Sequence, residues 1–437
     1  MQKSYTHTCD RSYPSKLFLE VTTRCNLRCK MCVKQSGDNG IASGDMSIST
    51  LERLTPVLAY LDEVIISGIG EPLLHPQLET FIEKIKTELP PYGSVGLQTN
   101  GTLLTRSRIE RLLSVDIDTI CISVDAATSE LLASIRTGAQ FDQLETALSM
   151  LNAKKRLFCS APSVGIQFVL MRDNFRHLPQ VLQWAGSLGV DFAIVSHLLP
   201  FAPSLSQGVV YPTNSDAAIS HFTKWKKKIS RSGLRMENYP AASMKFYKNR
   251  TTEESELIAM VETMKAEGLR KDISLNLFQL MAPQDVWTTQ IDAVFEKAAA
   301  IAQALGMDLI LPARQPANAR HCSFVEENSV FVDWQGSVSP CHFTWHQYAC
   351  YPEGRRKIVR HLSFGNLGST SMTDIWKGDA FKSFRNSVLE YDFPYCGDCG
   401  LSPCDYIDGD VFEHDCYTNT VPCCDCPWPM GVLNCLQ

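Results

Sequence analysis

The feature that most constrains this chain is the placement of its seventeen cysteines, which fall into two groups. Three lie close together at Cys25, Cys29 and Cys32, and eleven lie from Cys322 onward. Secreted scaffolds held by disulfides are short and contain cysteine throughout, whereas residues 126–320 here contain a single one. In a reducing compartment, clustered thiols bind metal, and soft thiolates select zinc or iron–sulfur clusters. We therefore expect two metal-binding regions.

Composition narrows the class of protein. The 437 residues carry a net charge of −6, and 44% are hydrophobic, which suits one large globular domain with a smaller one. Nucleic-acid binders usually present a strongly basic face, so no nucleic-acid partner is expected. No apolar run is long enough for a membrane span, and residues 1–15 lack the apolar stretch of a secretory signal. A cytoplasmic protein without a membrane partner is expected.

Short apolar runs alternate with helical patterns over the first two hundred residues. Ser49 and Glu52 have the spacing of a capping box before the first helix. Such alternation is typical of right-handed βαβ units and a parallel sheet, and six units fall short of the eight that close a barrel. The sequence predicts an α/β fold, a partial, TIM-like (β/α)6 barrel, with strands at 17–21, 64–67, 94–99, 119–124, 164–170 and 192–195.

The middle of the chain has weaker patterning. Residues 224–231 (KWKKKISR) are basic, which indicates either a solvated helix face or an attraction for acidic substrate groups. Residues 291–305 have a helical pattern and lead into the apolar run 309–311. Residues after about 320 show many turn residues, so metals would hold them more than a core would. The predicted domains are a barrel core (1–200), a substrate-facing bridging region (201–319) and a small cysteine-rich domain (320–437).

The first cysteine group has the spacing CxxxCxxC, in the loop that leaves the first predicted strand. A cubane [4Fe–4S] cluster is normally held by four thiolates, and only Cys25, Cys29 and Cys32 are available locally. If no distant residue completes the set, one iron keeps an open position, as a catalytic metal site requires. Zinc held by three cysteines and a histidine is the alternative, but no histidine lies nearby.

Three further motifs follow at the ends of the next strands. They are SGIGEP at 67–72, QTNG at 98–101 and SVD at 123–125, and Arg136 comes after them. Taken singly, the glycines could form a turn, and Asp125 with Arg136 could be a surface ion pair. In this order, the motifs resemble those of the radical S-adenosylmethionine (SAM) enzymes. The family has a glycine where Ile69 stands here.

The resemblance implies that SAM binds at these strand ends. The GEP loop would hold the methionyl amino group, the next two motifs would lie near the ribose and adenosyl groups, and Arg136 would face the SAM carboxylate. The expected SAM-binding residues are Gly68, Gly70, Glu71, Pro72, Gln98, Asn100, Ser123, Asp125 and Arg136.

The resemblance also implies a reaction. The open iron chelates SAM, and one electron cleaves the sulfonium to methionine and a 5′-deoxyadenosyl radical, which abstracts hydrogen from a substrate. The hard chemistry belongs to the cofactors, and the protein supplies position and excludes water and oxygen. An electron donor such as flavodoxin or ferredoxin is an expected partner.

The second cysteine group resembles the SPASM extension, a C-terminal domain of radical SAM enzymes that binds auxiliary [4Fe–4S] clusters. Cys322 is followed by thirteen residues, a glycine, four residues and Cys341, with a predicted strand at 330–333. The later spacing departs from the family, because four residues separate Cys399 from Cys404 where five are usual. Zinc ribbons are the alternative. Two clusters are expected, one held by Cys322, Cys341 and Cys416, the other by Cys396, Cys399 and Cys404, with fourth ligands from Cys423, Cys426 or Cys435.

The remaining cysteines have ordinary explanations. Cys424 is expected to be a bystander, because two adjacent thiolates rarely point at one metal. Small buried or loop positions account for Cys9, Cys121, Cys159 and Cys350.

The family modifies peptides, proteins or small molecules, so the reaction stays open. Only 24 residues precede Cys25, too few for a separate leader-binding domain, which weakens a leader-dependent peptide substrate. The leading hypothesis is an oxidoreductase that matures a peptide or protein side chain. The next is tailoring of a small molecule or metallocofactor. A non-catalytic iron–sulfur electron carrier is the third, although a carrier has no use for a SAM pocket.

Overall fold

A computed structural model of the chain describes residues 11–35, 39–155, 161–282, 286–400, 404, 406, 407, 409 and 411–436. Cys9 and Cys159 lie outside the described residues. The strands are β1 (Lys16–Leu19), β2 (Arg28–Cys29), β3 (Glu63–Ile66), β4 (Ser94–Thr99), β5 (Thr119–Ser123), β6 (Arg136–Thr137), β7 (Ser163–Leu170), β8 (Phe192–His197), β9 (Asp308–Ile310), β10 (Ser329–Val332), β11 (Val338–Ser339), β12 (Tyr348–Cys350) and β13 (Lys357–Val359).

Helices connect the strands and cover the outer face of the sheet. They are α1 (Ile48–Glu52), α2 (Thr55–Leu58), α3 (Leu78–Glu88), α4 (Arg106–Ser114), α5 (Ser129–Ile135), α6 (Phe141–Lys155), α7 (Leu178–Ser187), α8 (Asp216–Arg231), α9 (Tyr239–Met244), α10 (Thr252–Leu269), α11 (Leu277–Met281), α12 (Val286–Leu305), α13 (Ser323–Glu326), α14 (Met372–Lys377) and α15 (Asp379–Glu390). Helix α1 begins at Ile48, so the capping box predicted at Ser49 is wrong. Ser47 caps the helix instead and accepts a hydrogen bond from the backbone N–H of Thr50.

Nine strands form one sheet in the order β11-β10-β1-β3-β4-β5-β7-β8-β9. The six predicted strands are β1, β3, β4, β5, β7 and β8, and they are parallel consecutive neighbours. In the described part of the chain, the edge strands β9 and β11 do not pair with each other. The predicted α/β fold with an open, partial barrel is therefore confirmed.

Two strands from later in the chain extend this sheet. β9 pairs in parallel with β8, and its preceding helix α12 packs against α7, so together they form a seventh βα unit. β10 pairs in parallel with β1, with Lys16 opposite Ser329. The strand predicted at 330–333 thus extends the barrel sheet, and its residues are buried on both faces.

Helices α8 to α11 form an insertion with a core of its own. Phe222, Trp225 and Ile229 of α8 pack with α10 side chains in a hydrophobic cluster separate from that of the barrel. The basic segment 224–231 lies on α8, and its lysine and arginine side chains face solvent. The segment is thus an exposed basic face of α8.

The segment 432–436 runs across the inner face of the sheet. The backbone N–H of His197 donates to the carbonyl of Val432 at 3.0 Å, and Gln167 donates through Nε2 to the carbonyl of Asn434 at 3.2 Å. Leu436 lies over β4, where a Cβ added to Gly96 would be 3.4 Å from it. The tail thus lines the inside of the barrel, which the sequence did not indicate.

Within the described residues, no helix is both long and apolar enough to cross a membrane.

Candidate active site and metal centres

The loop after β1 carries the first three cysteines past the carboxyl end of the sheet. Its strand β2 pairs antiparallel with β6, which places Cys29 opposite Arg136. All three thiols are partly buried, and burial raises their pKa, that of Cys32 to about 11. Charge on Cys29 or Cys25 would raise the pKa of Cys32 further. Coordination to iron removes this penalty, because metal binding releases the thiol protons.

Hydrogen-bond donors surround these sulfur atoms. The backbone N–H of Leu27 lies 3.5 Å from Cys25 Sγ, and Asn100 Nδ2 lies 3.9 Å from it. Arg136 Nη1 lies 3.8 Å from Cys29 Sγ. In the described residues, no three His, Cys, Asp or Glu side chains lie close enough together to bind a single metal ion. A cubane cluster does not need such a group, because each thiolate binds a different iron atom. Three thiols with N–H donors fit an iron–sulfur cluster.

The glycine-rich loop 67–72 lies directly on the cysteine loop. A Cβ on Gly70 would be 2.2 Å from the carbonyl oxygen of Thr22, so only glycine allows this approach. The backbone N–H of Glu71 donates to the carbonyl of Arg24 at 2.7 Å. The two loops therefore form one unit, as their shared role in binding SAM would require.

The carboxylate of Glu71 is engaged within the protein. It is 2% exposed and accepts hydrogen bonds from Thr99 Oγ1 at 2.6 Å, the N–H of Asn100 at 2.7 Å and the N–H of Leu73 at 3.1 Å. Burial raises its pKa. The side chain thus joins the loop to the end of β4, and the neighbouring Pro72 is buried at the start of a 3₁₀ turn. The Glu71 carboxylate therefore fixes the position of the glycine-rich loop relative to β4.

Two buried polar atoms at the strand ends lack a partner in the described residues. They are Ser67 Oγ and Gln98 Oε1. Gln98 donates through Nε2 to Ser123 Oγ at 3.0 Å, so its carbonyl oxygen is left over. Buried polar atoms are normally satisfied, so a polar ligand between β3, β4 and β5 would complete these contacts. The resemblance to radical SAM enzymes implies that the ribose and adenosyl groups of SAM lie near Gln98 and Ser123.

Asp125 and Arg136 form a buried ion pair, not a surface one. Arg136 Nε donates to Asp125 at 2.5 Å, and the other Asp125 oxygen accepts from the N–H of Val169 at 2.7 Å. Burial lowers the pKa of Arg136, but the Asp125 carboxylate together with charge on Cys29 and Cys32 more than offsets this effect, so the pKa is raised. The guanidinium is a fixed cation beside Cys29.

Four buried thiols of the cysteine-rich region lie close together. Burial raises the pKa of each, and charge on the other three raises that of Cys426 further. The set consists of Cys322, Cys341, Cys423 and Cys426. The sequence predicts that Cys416 shares a cluster with Cys322 and Cys341. In the structure, Cys423 and Cys426 lie beside those two cysteines instead.

A second set of four cysteines lines one cavity of about 330 Å³. Burial raises the pKa of Cys416, and charges on Asp415, Cys404 and Cys399 raise it further, which places that thiol beside Cys399 and Cys404. The set consists of Cys396, Cys399, Cys404 and Cys416. The cavity thus brings Cys416 together with the three cysteines that the sequence assigned to one cluster.

Two cysteines lie elsewhere than the sequence suggested. Cys435 is on the tail inside the barrel. It lies so close to Cys121 on β5 that charge on Cys435 raises the pKa of Cys121, and it is therefore remote from both sets. The chain reaches this position because residues after Cys426 turn into the barrel. Cys424 is buried and hydrogen-bonds to Cys396, which makes it a neighbour of the second set rather than a bystander.

Comparison with known proteins agrees with both halves of this arrangement. The radical SAM superfamily matches residues 19–185, and the SPASM iron–sulfur cluster-binding domain matches residues 322–400. The chain thus contains a radical SAM domain followed by a SPASM domain. It is therefore an iron–sulfur enzyme.

Relatives of this radical SAM/SPASM enzyme differ in the extent of the match. The tungsten-containing aldehyde ferredoxin oxidoreductase cofactor-modifying protein of Pyrococcus furiosus is 26% identical over 427 residues, 96% of each chain. Pre-heme d1 synthase of Dinoroseobacter shibae is 29% identical over 181 residues, 41% of this chain and 42% of that one. Mycofactocin maturase MftC of Mycobacterium tuberculosis is 29% identical over 183 residues, 41% of this chain and 44% of that one.

Sequence reasoning missed the cations beside the auxiliary thiols of this radical SAM enzyme. Arg320 is buried and donates to the backbone carbonyls of Cys423 and Cys424 at 3.1 and 2.8 Å. Lys357 is paired with Asp425, the residue between Cys424 and Cys426, and both side chains are buried. In the sequence, only Asp425, inside the CCDC motif at 423–426, indicated that a cation lies nearby, because a buried acid needs a cationic partner.

Proposed function

We propose that this radical SAM/SPASM enzyme modifies a small-molecule cofactor, the second of the substrates that the sequence suggested. The single observation that carries the proposal is the relative named as a cofactor-modifying protein, which aligns over 96% of both chains. An alignment of that length includes residues 201–319, where substrate contacts are expected, as well as the cysteine-rich region. The other two relatives align over less than half of either chain.

In this proposal, Cys25, Cys29 and Cys32 hold the cluster that binds SAM, and the strand ends beside them hold SAM. The bound cofactors supply one-electron reduction and hydrogen-atom abstraction. The chain itself binds and orients: Arg136, fixed by Asp125, presents a permanent cation to the SAM carboxylate. Ser67 and Gln98 contribute their unpartnered oxygen atoms as polar contacts for the ligand.

The rest of the chain would close the chamber. The buried side chains of Val432, Leu433 and Leu436 cover the inner face of the sheet and keep water from it. Exclusion of water protects reactive species from side reactions. The two sets of four thiols would hold two auxiliary [4Fe–4S] clusters, a route for electrons between the substrate and a donor such as flavodoxin or ferredoxin.

A peptide or protein side chain is the second candidate substrate. Its support is the relative named as a maturase, which aligns over 183 residues. That alignment spans 41% of this chain, about the length of the barrel core, so it says less about where the substrate binds than the longer match does.

Product analysis separates the two substrates. The anaerobically reconstituted enzyme would receive SAM, a strong reductant and the cofactor released from a tungsten-containing aldehyde oxidoreductase. We expect a mass change in that cofactor with release of 5′-deoxyadenosine, and neither in the variant lacking Cys25, Cys29 and Cys32. A mass change in the apo-oxidoreductase polypeptide, with the released cofactor unchanged, would favour the maturase instead.

A further inference from the structure

We propose that His346, in the cysteine-rich region, is a positioning residue for the glycine-rich loop 67–72. It acts through Glu20, whose carboxylate lies beneath that loop. The inference rests on the assignment of the loop to SAM. It does not depend on which substrate the enzyme modifies.

Glu20 has two partners that come from opposite ends of the chain. Its side chain is fully buried, and its Oε1 accepts the backbone N–H of Ile69 at 2.9 Å. Its Oε2 lies 2.9 Å from His346 Nε2. A carboxylate can only accept hydrogen bonds, so Nε2 donates here. One carboxylate therefore joins the centre of the loop to the cysteine-rich region.

The loop can rest on Glu20 only because Gly68 lacks a side chain. A Cβ at Gly68 would lie 2.5 Å from Glu20 Cγ and 2.8 Å from Oε1. The position of the Glu20 side chain thus sets the height of the loop above the sheet. Any displacement of the carboxylate would move Ile69 and the residues beside it.

His346 is itself held in place. It lies between β11 and β12, in the segment that also carries Cys341 of the first auxiliary set. Its ring centroid is 5.5 Å from that of Trp345, and its side chain is 11% exposed. The loop that binds SAM and a ligand of an auxiliary cluster are therefore linked through a short, packed segment.

A first test needs no SAM. Hydrogen exchange of the Ile69 amide would be measured in the reconstituted, SAM-free protein for His346→Ala and His346→Gln. Loss of a hydrogen bond to a buried charge should speed exchange about tenfold in His346→Ala, and Gln, which keeps an N–H donor, should restore part of the protection. The control is His361→Ala, whose ring lies 6.3 Å from His346 and bonds to Ser339 instead of Glu20.

A second measurement is the dissociation constant for SAM of the reconstituted protein. We expect it to rise about tenfold in His346→Ala with the iron content unchanged, and to stay at the wild-type value in His361→Ala. Should His346→Ala fail to fold, His346→Met fills the space without a donor and carries both measurements.

Unchanged exchange at Ile69, or an equal effect of His361→Ala, would overturn the positioning role. Faster exchange with unchanged SAM affinity would overturn the assignment of the loop to SAM, and this inference with it. Neither result bears on cofactor modification, which is judged by the mass of the product.

Discussion

The three-thiol loop and the four-thiol set of Cys322, Cys341, Cys423 and Cys426 are built in opposite ways. The loop takes its thiols from one short stretch, and all three are partly exposed. The four-thiol set spans more than a hundred residues, and every member is buried. A site with an open side admits a ligand, whereas one surrounded by protein is closed. The comparison indicates chemistry at the first site and electron storage or structure at the second.

The two sites also depend differently on the fold. The cysteine loop is attached to a sheet whose core exists without any metal, since the strands and helices around it bury apolar side chains. Among the described residues after Glu390, which carry Cys423 and Cys426, the only regular element is a short 3₁₀ turn at Cys396–Asp398, so bound metal would supply much of the folding free energy there. Removal of ligands should therefore cost activity at the first site and stability at the second.

The largest effect is expected when the open site is removed. The triple variant Cys25→Ala, Cys29→Ala, Cys32→Ala should lose all release of 5′-deoxyadenosine from SAM. Its iron content should fall from about twelve to about eight per chain, the content of two cubanes. Its melting temperature should stay near that of the wild type, because the barrel core is intact. Cleavage of SAM at the normal rate would contradict the role of these cysteines.

The next effect tests how the eight auxiliary thiols divide. Cys404→Ala with Cys416→Ala should remove about four irons, and adding Cys399→Ala should remove no more. Cys423→Ala with Cys426→Ala should remove a different four and lower the melting temperature further, because those thiols are buried. If Cys416→Ala combined with Cys423→Ala strips only one cluster, these two thiols belong to the same set and the division is wrong.

A smaller effect concerns pH in the cluster-free protein. Burial raises the pKa of Cys32 from 9.0 to about 11, so the folded state holds that proton more tightly than the unfolded state does. The stability it contributes, about 2–3 kcal/mol, should be present below pH 9 and be lost as pH rises through 11. The free energy of unfolding, measured with urea from pH 8 to 11, should fall as pH rises. This slope should be smaller in Cys32→Ser. An identical slope in both proteins would place the titrating group elsewhere.

The barrel could be predicted because its signals are local. Strands such as 94–99 and 119–123 alternate with amphipathic helices such as α3, and this alternation of strand and helix repeats along the chain. The cysteine spacing and the glycine-rich loop are also local, so the residues around the open site could be named. Their individual contacts could not, because the direction of the Glu71 carboxylate depends on where β4 ends.

The rest depends on pairings between distant residues. No local signal shows that β10 lies beside β1, or that Cys416 groups with Cys404 rather than with Cys322. Two CxxC-like spacings allow several ligand combinations, and only packing selects among them. The same holds for His346 and Glu20, whose contact spans 326 positions of sequence.

The tail inside the barrel has a consequence for biosynthesis. Strand β4 leaves the ribosome well before Leu436, which covers its inner face. At ~5–20 residues per second, the interval is roughly twenty seconds to a minute. During that time the inner face of the growing parallel sheet lacks its tail, and for most of it β1 lacks its edge partner β10. Newly made chains should therefore bind chaperones that recognise exposed apolar strands, and release should follow synthesis of residues 432–436.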